Sequence, residues 1–215
     1  GDRELDYVVV QHMEPDHSAT LMDLLCRYTK TKIVCTKKTS DMIVQFFGTD
    51  VSDRAIIVKE NDTLSTGKHE FQFIMAPMVH WPDSMATYLE GDEILFSNDA
   101  FGQHYASSER YVDEVGLDIA IAEATKYYAN IVLPFGAQVL KVLDAAQDLK
   151  IKMICPSHGL IWQKPEDITQ IVSLYKKWAS YQSDKKVLIV YDTMWHSTEM
   201  MAQYFFTTLD VAGVS

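Results

Sequence analysis

The stretch His12-Met13-Glu14-Pro15-Asp16-His17 decides how the rest of this chain is interpreted, because it concentrates four potential metal ligands in six residues. It follows a β-branched run and is typical of a loop at the end of a strand. Side chains two residues apart in extended backbone point to the same side, so His12 and Glu14 are placed to hold one metal ion. Asp16 and His17 lie beyond the proline turn and can face a second ion. The stretch predicts half of a two-metal site.

Three further candidate ligands follow predicted strands, at positions where loops meet over a rigid sheet. His80 follows an alternating apolar run, and His158 follows a short strand-like segment. Asp99 follows another predicted strand and is well placed to bridge two ions. A lone histidine is more often an ordinary surface or core residue than a ligand. Together with the first stretch, however, these three residues predict a complete ligand set for two metal ions.

The alternation of strand-like and helix-like segments predicts an α/β fold. We predict strands at residues 7–11, 32–36, 55–59, 69–76, 86–89, 93–97, 153–155 and 187–191. Apolar residues at helical spacing predict helices over 18–28, with Ser18 as the cap, and over 40–47 and 166–181. A further long helical stretch is predicted to break at Pro134.

A change in composition at Ser183-Asp184-Lys185-Lys186 divides the chain into two predicted domains, residues 1–183 and 184–215. The run at 187–191 is continuously apolar, as in a strand that is buried on both faces of a sheet. A polar loop and an amphipathic helix follow it. The second domain therefore begins with a new strand–loop–helix unit.

The loop of this unit is rich in hydroxyl groups and precedes a helix start, where backbone N–H groups and the helix dipole attract phosphate. Its candidate cofactor-binding residues are Thr193, Met194, Trp195, His196, Ser197 and Thr198. The loop lacks a glycine-rich phosphate cradle, and an ordinary helix start with Ser197 or Thr198 as the N-cap explains the same residues. The chemistry alone leaves both interpretations open.

The composition excludes some classes of partner. The 215 residues include 19 basic and 30 acidic side chains, a net charge of −11, which argues against nucleic acid or an anionic membrane surface as the main partner. No stretch approaches the length of apolar sequence needed to span a bilayer. The three cysteines form no C-x-x-C pair, so we expect a reducing, cytoplasmic location. The chain begins with glycine and soon enters a strand, so we expect a piece of a longer protein.

The order His-x-Glu-x-Asp-His, then His, Asp and His, resembles the metallo-β-lactamase superfamily. Its common hydrolases carry histidine where this chain carries Glu14, and the exchange of an imidazole for a carboxylate favours iron over zinc. In carrying glutamate at this position, the chain resembles the flavodiiron proteins, also called A-type flavoproteins. The segments 80–85, 97–103 and 127–131 are similar to the same family, and the loop at 193–198 resembles its FMN-phosphate loop.

The resemblance implies a metallo-β-lactamase-like αββα sandwich that lacks its first strands, followed by the first β-loop-α unit of a flavodoxin-like domain. It also implies the iron ligands. His12, Glu14 and His80 would hold one iron, Asp16 and His158 the other, and Asp99 would bridge them. The resemblance leaves open whether His17 is a ligand or a group beside the ligands. His104 would lie beside the ligands or in the substrate pocket, and a plain surface role is the alternative.

The function implied by the resemblance is reduction of dioxygen to water, nitric oxide to nitrous oxide, or both, at a non-haem diiron centre. Electrons would arrive through FMN from rubredoxin or a flavin reductase, in a head-to-tail homodimer. The alternative is a dinuclear zinc hydrolase of the metallo-β-lactamase superfamily, in which a bridging hydroxide attacks an ester or phosphodiester. A third possibility is a remnant that binds metal but receives no electrons.

Overall fold

The computed structural model describes residues 3–215, which form two compact units, the first ending at Ser180 and the second comprising Tyr181–Ser215. The strands are β1 Tyr7–Val10, β2 Lys32–Cys35, β3 Ala55–Ile57, β4 Thr63–Ser65, β5 Glu70–Met75, β6 Met85–Leu89, β7 Ile94–Asn98 and β8 Met153–Pro156. The helices are α1 Pro15–Ser18, α2 Leu21–Arg27, α3 Lys37–Phe47, α4 Val112–Val115, α5 Leu117–Tyr127, α6 Gly136–Ala145, α7 Pro165–Ala179 and α8 Ser197–Val211. None of the helices in this described part of the chain combines the length and apolar character needed to cross a bilayer.

The first sheet contains β1, β2 and β3 in that order, all parallel. Parallel neighbours need a long crossover connection, and the segments carrying α2 and α3 supply it. Buried side chains from both helices, including Leu25 and Ile43, pack with Ile33 of β2 in one apolar cluster. The first sheet is therefore covered by helices on one face.

The second sheet has the strand order β4-β5-β6-β7-β8 and is antiparallel except for the β7–β8 pair. Its outer face carries the largest apolar cluster, which joins Ile74 and Tyr88 from the strands to Ala124 of α5, Val139 of α6 and Ile171 of α7. Strands β6 and β7 are antiparallel and joined by a tight connection around Glu90-Gly91-Asp92, so they form a hairpin. Helices cover this sheet as well, on the face away from the first sheet.

The inner faces of the two sheets meet through a small buried cluster of Val34, Val58, Phe73 and Met85. Gln11 adds a polar link, because its side-chain amide donates to the carbonyls of Met85, at 3.1 Å, and Phe96, at 2.8 Å. Helix, sheet, sheet and helix layers therefore follow one another, which confirms the predicted αββα sandwich. The link at Gln11 also holds the end of β1 over the second sheet.

Two helix starts differ from the prediction. Ser18 does not cap a helix but ends α1, and its hydroxyl donates backwards to the carbonyls of Met13, at 2.9 Å, and Glu14, at 3.1 Å. The proline at position 15 already sets helical backbone, so a short helix forms before α2. Helix α3 begins three residues earlier than expected because Thr36 caps it, accepting from the Thr39 amide at 3.0 Å.

The helical stretch around Pro134 is interrupted as predicted. α5 is followed by a π-helical turn, Tyr128–Val132, and by a 3-10 turn, Leu133–Phe135, before α6 begins. Proline has no N–H to donate and its ring clashes with the preceding turn, so a continuous α-helix cannot pass through this position. The interruption lets α5 and α6 pack separately on the second sheet.

The strand predicted at 187–191 is not formed, which is a correction. The segment makes no strand pairing in the described residues of the second unit, although the Val187 amide donates to the Ser215 carbonyl at 2.9 Å. A strand exists only when a neighbour satisfies its backbone groups, and apolar composition alone cannot supply that neighbour. Leu188 and Val190 are accordingly 87% and 83% exposed. The helix that follows, α8, is present. The predicted boundary near residue 183 and the flavodoxin-like assignment of 184–215 stay predictions.

Candidate metal centre

The predicted ligands converge above the ends of strands from both sheets. The loop after β1 brings His12 and Glu14, and the short helix α1 continues it with Asp16 and His17. His80, Asp99 and His158 come from the loops after β5, β7 and β8. The carboxyl ends of these strands are adjacent, so side chains far apart in sequence reach one another. The side-chain contacts divide them into two groups.

The first group consists of four atoms that lie close to one another. His12 Nε2 lies 3.0 Å from Glu14 Oε2 and 3.2 Å from Asp99 Oδ2. His80 Nε2 lies 3.2 Å from each of the same two oxygens. Two imidazole nitrogens and two carboxylate oxygens thus surround one point. This is the set predicted for the first ion, with one oxygen of Asp99 added.

The second group is built on the other oxygen of Asp99. Asp99 Oδ1 lies 3.1 Å from His17 Nε2 and 3.4 Å from His158 Nε2. Asp16 Oδ2 lies 3.2 Å from His158 Nε2 and 3.4 Å from His17 Nε2. His17 Nε2 therefore lies within the second group of candidate ligand atoms, and a ligand role for His17 stays a prediction. Asp99 belongs to both groups, one oxygen to each, as a bridging carboxylate does.

These distances fit the coordination sphere of a transition metal. Ligand atoms about 2.1 Å from one ion and at right angles to each other lie about 3.0 Å apart. Both carboxylate oxygens of Asp99 and the Nε2 atom of His17 are also buried without a hydrogen-bond partner in the described residues. Buried polar atoms are rarely left unpaired, so their convergence on two points indicates that the residues present fit two metal ions.

The carboxylates of the site change the protonation of its histidines. Burial lowers the pKa of His12, but Asp83, Asp99 and Glu14 outweigh that effect and raise it to about 10. The Asp99 carboxylate likewise raises the pKa of His17 against the effect of burial. Burial opposes ionisation of Asp99, yet the neighbouring histidines hold its pKa well below the usual range. A metal cation takes over the role of these protons, so its binding must release them.

The two loops that carry Asp99 and His158 are fixed to each other by Gln103. Its backbone amide donates to the His158 carbonyl at 3.2 Å, and its side-chain oxygen accepts from the Leu160 amide at 2.5 Å. Gly159 has a φ of +81°, and a β-carbon there would collide with Gln103. Glycine is therefore required beside His158 both for its backbone conformation and for space.

The loop after β7 is also anchored from below by the aromatic core. The Phe101 amide donates to the hydroxyl of Tyr175 at 2.7 Å, and the Phe101 carbonyl accepts from the indole N–H of Trp162 at 3.0 Å. All of these atoms are buried, so water cannot replace the bonds. This anchoring fixes the backbone two residues beyond Asp99.

His104, whose role the sequence leaves open, lies next to the second group. Its ring centroid is 4.7 Å from that of Tyr127 and 5.7 Å from that of His158. Tyr127 is buried, and burial raises the pKa of its phenol, with the charge of Asp99 adding to the effect. The phenol therefore stays protonated at neutral pH. Tyr127 is thus a buried neighbour of the second group, and His104 is an exposed one.

Sequence reasoning missed Asp83. Its side chain is buried, and Oδ1 lies 3.5 Å from His12 Nδ1, on the side of the imidazole away from the ligand group. The residue follows Trp81-Pro82, inside a segment that resembled the flavodiiron family. Nothing in the sequence separates a residue that contacts a ligand from one that merely neighbours it, because the contact spans 71 residues.

In the second unit, the loop predicted to bind a phosphate is mostly exposed. Ser197 is the first residue of α8, and His196 occupies the N-cap position with a φ of +65°. His196 Nδ1 pairs with the Glu199 carboxylate at 2.7 Å. The alternative that Ser197 or Thr198 is the N-cap is therefore wrong. The Thr193 hydroxyl is buried without a partner in the described residues, which leaves a donor in this loop.

The chain is similar to a known protein family and to several known proteins. The sequence model of the ODP family beta lactamase matches residues 2–159. A nitric oxide reductase of Moorella thermoacetica is 42% identical over 212 residues, 98% of this chain and 52% of that protein. An anaerobic nitric oxide reductase flavorubredoxin of Escherichia coli is 42% identical over 202 residues, 93% of this chain and 42% of that protein.

Solved structures agree. A rubredoxin oxygen:oxidoreductase of Desulfovibrio gigas superposes with a TM-score of 0.91 and 35% identity, covering 98% of this chain and 53% of that one. The flavodiiron protein of Giardia intestinalis gives a TM-score of 0.84 and 38% identity, covering 92% and 48%. The chain spans about half the length of the curated relatives it matches. It belongs to the ODP β-lactamase family, and its resemblance to the flavodiiron proteins is confirmed.

Proposed function

We propose that this chain carries the diiron centre of an oxidoreductase that reduces dioxygen to water, nitric oxide to nitrous oxide, or both. The observation that carries the proposal is the pair of ligand groups joined through the two oxygens of Asp99. Relatives named nitric oxide reductase, and a structural neighbour named rubredoxin oxygen:oxidoreductase, support the same class of reaction.

The donor set supports iron. Each group offers two imidazole nitrogens and two carboxylate oxygens, counting Asp99 once for each group. Oxygen ligands make a site harder than the histidine-rich sites that zinc prefers, although affinity alone does not fix the metal. Glu14 makes this difference in the first group, and it argues against the zinc hydrolase alternative.

The seven candidate ligands would hold two ferrous ions, which would supply electrons for reduction of a diatomic molecule. The residues of this chain have three other tasks. Asp99 would offer one carboxylate oxygen to each metal position, and the loop that carries it is anchored at Phe101 and Gln103. Tyr127 and His104 border the second group beside His158. The protonated phenol of Tyr127 adds a proton-bearing group near His158, and both proposed reactions consume protons.

We further propose that FMN delivers the electrons and that residues 193–198 contact its phosphate. The unpartnered hydroxyl of Thr193 and the N-terminus of α8 support this assignment. Rubredoxin or a flavin reductase would be the donor, in line with the words flavorubredoxin and rubredoxin in the names of relatives. A head-to-tail homodimer stays a prediction.

The decisive experiment is metal loading followed by a single turnover. The chain is purified without oxygen and supplied with Fe(II) or, in a separate sample, with Zn(II), and each sample is analysed for bound metal. The iron-loaded chain is then mixed with O₂ or NO, and oxidation of the reduced centre is followed by stopped-flow absorbance, which requires no flavin. We expect close to two irons per chain and consumption of at least one gas.

Glu14→His provides the matched control, because it restores the histidine of the common hydrolases. This variant should retain zinc in preference to iron. Two zinc ions that iron cannot displace from the unaltered chain, together with ester or phosphodiester hydrolysis, would establish the hydrolase instead. Two irons that react with neither gas would leave a metal-binding remnant.

A further inference from the structure

A buried carboxylate stands behind the first metal ligand. Asp83 Oδ1 faces His12 Nδ1 at 3.5 Å, and both side chains have no exposed surface. Neither Asp83 Oδ1 nor His12 Nδ1 has a hydrogen-bond partner in the described part of the chain. Each is therefore the group available to pair with the other. The opposite nitrogen of the same imidazole, Nε2, is the one that faces Glu14 and Asp99.

Asp83 is itself held from the other side by helix α3. The hydroxyl of Thr39 donates to Asp83 Oδ2 at 3.2 Å, and it lies 2.8 Å from the hydroxyl of Thr36. Thr36 caps the helix, and Thr39 is fully buried. A chain of polar contacts therefore runs from the start of α3 through Thr39 and Asp83 to His12.

We propose that Asp83 is a positioning residue, which keeps the proton of His12 on Nδ1 and so turns the Nε2 lone pair towards the first metal position. Imidazole ligands in proteins commonly give their second N–H to a carboxylate, which fixes the tautomer and the ring plane. Thr39 fixes the carboxylate in turn. This inference rests on the metal site proposed above and concerns how one ligand of that site, His12, is held in the orientation and tautomer that bind a metal.

The contacts of Asp83 favour this role over a purely structural one. A buried carboxylate needs donors for both oxygens, and Thr39 supplies only one. The position that completes the set is His12 Nδ1. A carboxylate serving only to fix α3 would gain nothing from facing an imidazole whose other nitrogen lies in the ligand group.

The test is metal affinity measured by chelator competition, with Co(II) as the probe because its visible absorption reports the ligand geometry. Asp83→Ala should weaken binding of the first ion by about 10- to 100-fold. Asp83→Asn keeps an acceptor oxygen in the same place, so this variant should retain most of the metal affinity that Asp83→Ala loses. Thr39→Val, which removes the support of the carboxylate, should give an intermediate loss.

A second readout follows the tautomer directly. In ¹⁵N-edited NMR of the metal-loaded chain, the Nδ1–H signal of His12 should be protected from exchange with water. Asp83→Ala should make it exchange faster or disappear. This measurement needs only a folded chain, and Thr39→Val extends it to a variant that leaves Asp83 in place.

Asp167→Ala is the matched control, since Asp167 is also a buried aspartate but lies in the first turn of α7, outside both ligand groups. The inference is overturned if Asp83→Ala loses no more Co(II) affinity than Asp167→Ala, or if the Nδ1–H signal is unchanged. If the unaltered chain binds metal but reduces neither gas, the proposed function fails while this comparison still decides the role of Asp83. An unaltered chain that binds no metal overturns both.

Discussion

At the scale of single residues, the carboxylate of Asp99 is the point at which the two groups of candidate ligand atoms meet. Each of its oxygens belongs to a different group of ligand atoms, and neither has a hydrogen-bond partner among the described residues. Removing it takes a ligand from both positions at once. Each of the other candidate ligands, including His12 and His158, contacts only one of the two groups through the distances given above.

Asp99→Asn should therefore reduce bound metal from two ions to one or none per chain. The amide is the same size but presents a single oxygen, so it cannot bridge. Metal analysis after anaerobic loading measures the effect, and thermal unfolding of the metal-free chain tests whether the fold survives. Two retained ions in this variant would show that Asp99 is not a bridge.

The raised pKa of His12 predicts a pH dependence for the metal-free chain. Its pKa rises from an ordinary value of 6.5 to about 10 in the fold, so the folded state holds the proton more tightly than the unfolded state. The stabilisation is complete below pH 6.5 and is lost as the pH rises towards 10. Thermal unfolding between pH 6 and 10 should show this decline, and His12→Gln should remove most of it.

At the scale of elements, the site depends on how loops are fixed to the second sheet. Apolar alternation made strand β5 predictable, and the positions of His80, Asp99 and His158 just past predicted strands made their convergence predictable. The anchors were not predictable, because Gln103, Tyr175 and Asp83 act through contacts between distant parts of the chain. Side chains of these types occur equally often without such contacts.

Tyr175→Phe should destabilise the chain by about 1–3 kcal/mol, because the buried Phe101 amide would lose its acceptor. It should also weaken metal retention, since the same loop carries Asp99. Tyr88→Phe is the comparison, as its hydroxyl donates to the Lys150 carbonyl at 2.6 Å away from the ligand loops. Denaturant unfolding and metal analysis separate the two effects. Equal loss of metal in both variants would contradict the anchoring role.

Gly159→Ala should cost more than an ordinary exchange at a left-handed glycine. Its φ is +81° and its β-carbon would meet Gln103, whereas Gly67 has a φ of +89° and no atom within 4 Å of the same position. We expect about 1 kcal/mol for Gly67→Ala from backbone strain alone and about 2–4 kcal/mol for Gly159→Ala. Chemical unfolding measures both, and similar values would mean that the loops adjust freely.

At the scale of the whole molecule, the two units differ in how completely they bury apolar surface. The first has three buried apolar clusters, and the fold class could be predicted because its strands and helices alternate. The second exposes Trp195, Tyr204 and Phe206 by 82%, 74% and 68%. The strand predicted at 187–191 does not form, because the segment has no strand partner among the described residues of the second unit. The composition of a segment indicates that it needs a strand partner, but it does not indicate whether that partner is present.

The exposed surface of the second unit predicts self-association. Sedimentation of the chain at increasing concentration should show growing particle size, because exposed apolar patches bind one another. A chain ending at Ser180 should stay small and keep the same metal content, since all seven ligand candidates precede that residue. Association that persists after this truncation would place the sticky surface in the first unit.

The origin of the ligands has a consequence for the life of the protein in a cell. The first four come from the loop beside the first sheet, and the last three from loops of the second sheet. An ion in either position would therefore link the two sheets of the sandwich. The free energy of metal binding would then add to the free energy of unfolding. With iron as the proposed metal, a cell short of iron would hold a less stable protein that is more exposed to proteases, and the amount of folded protein would follow the iron supply without any regulator.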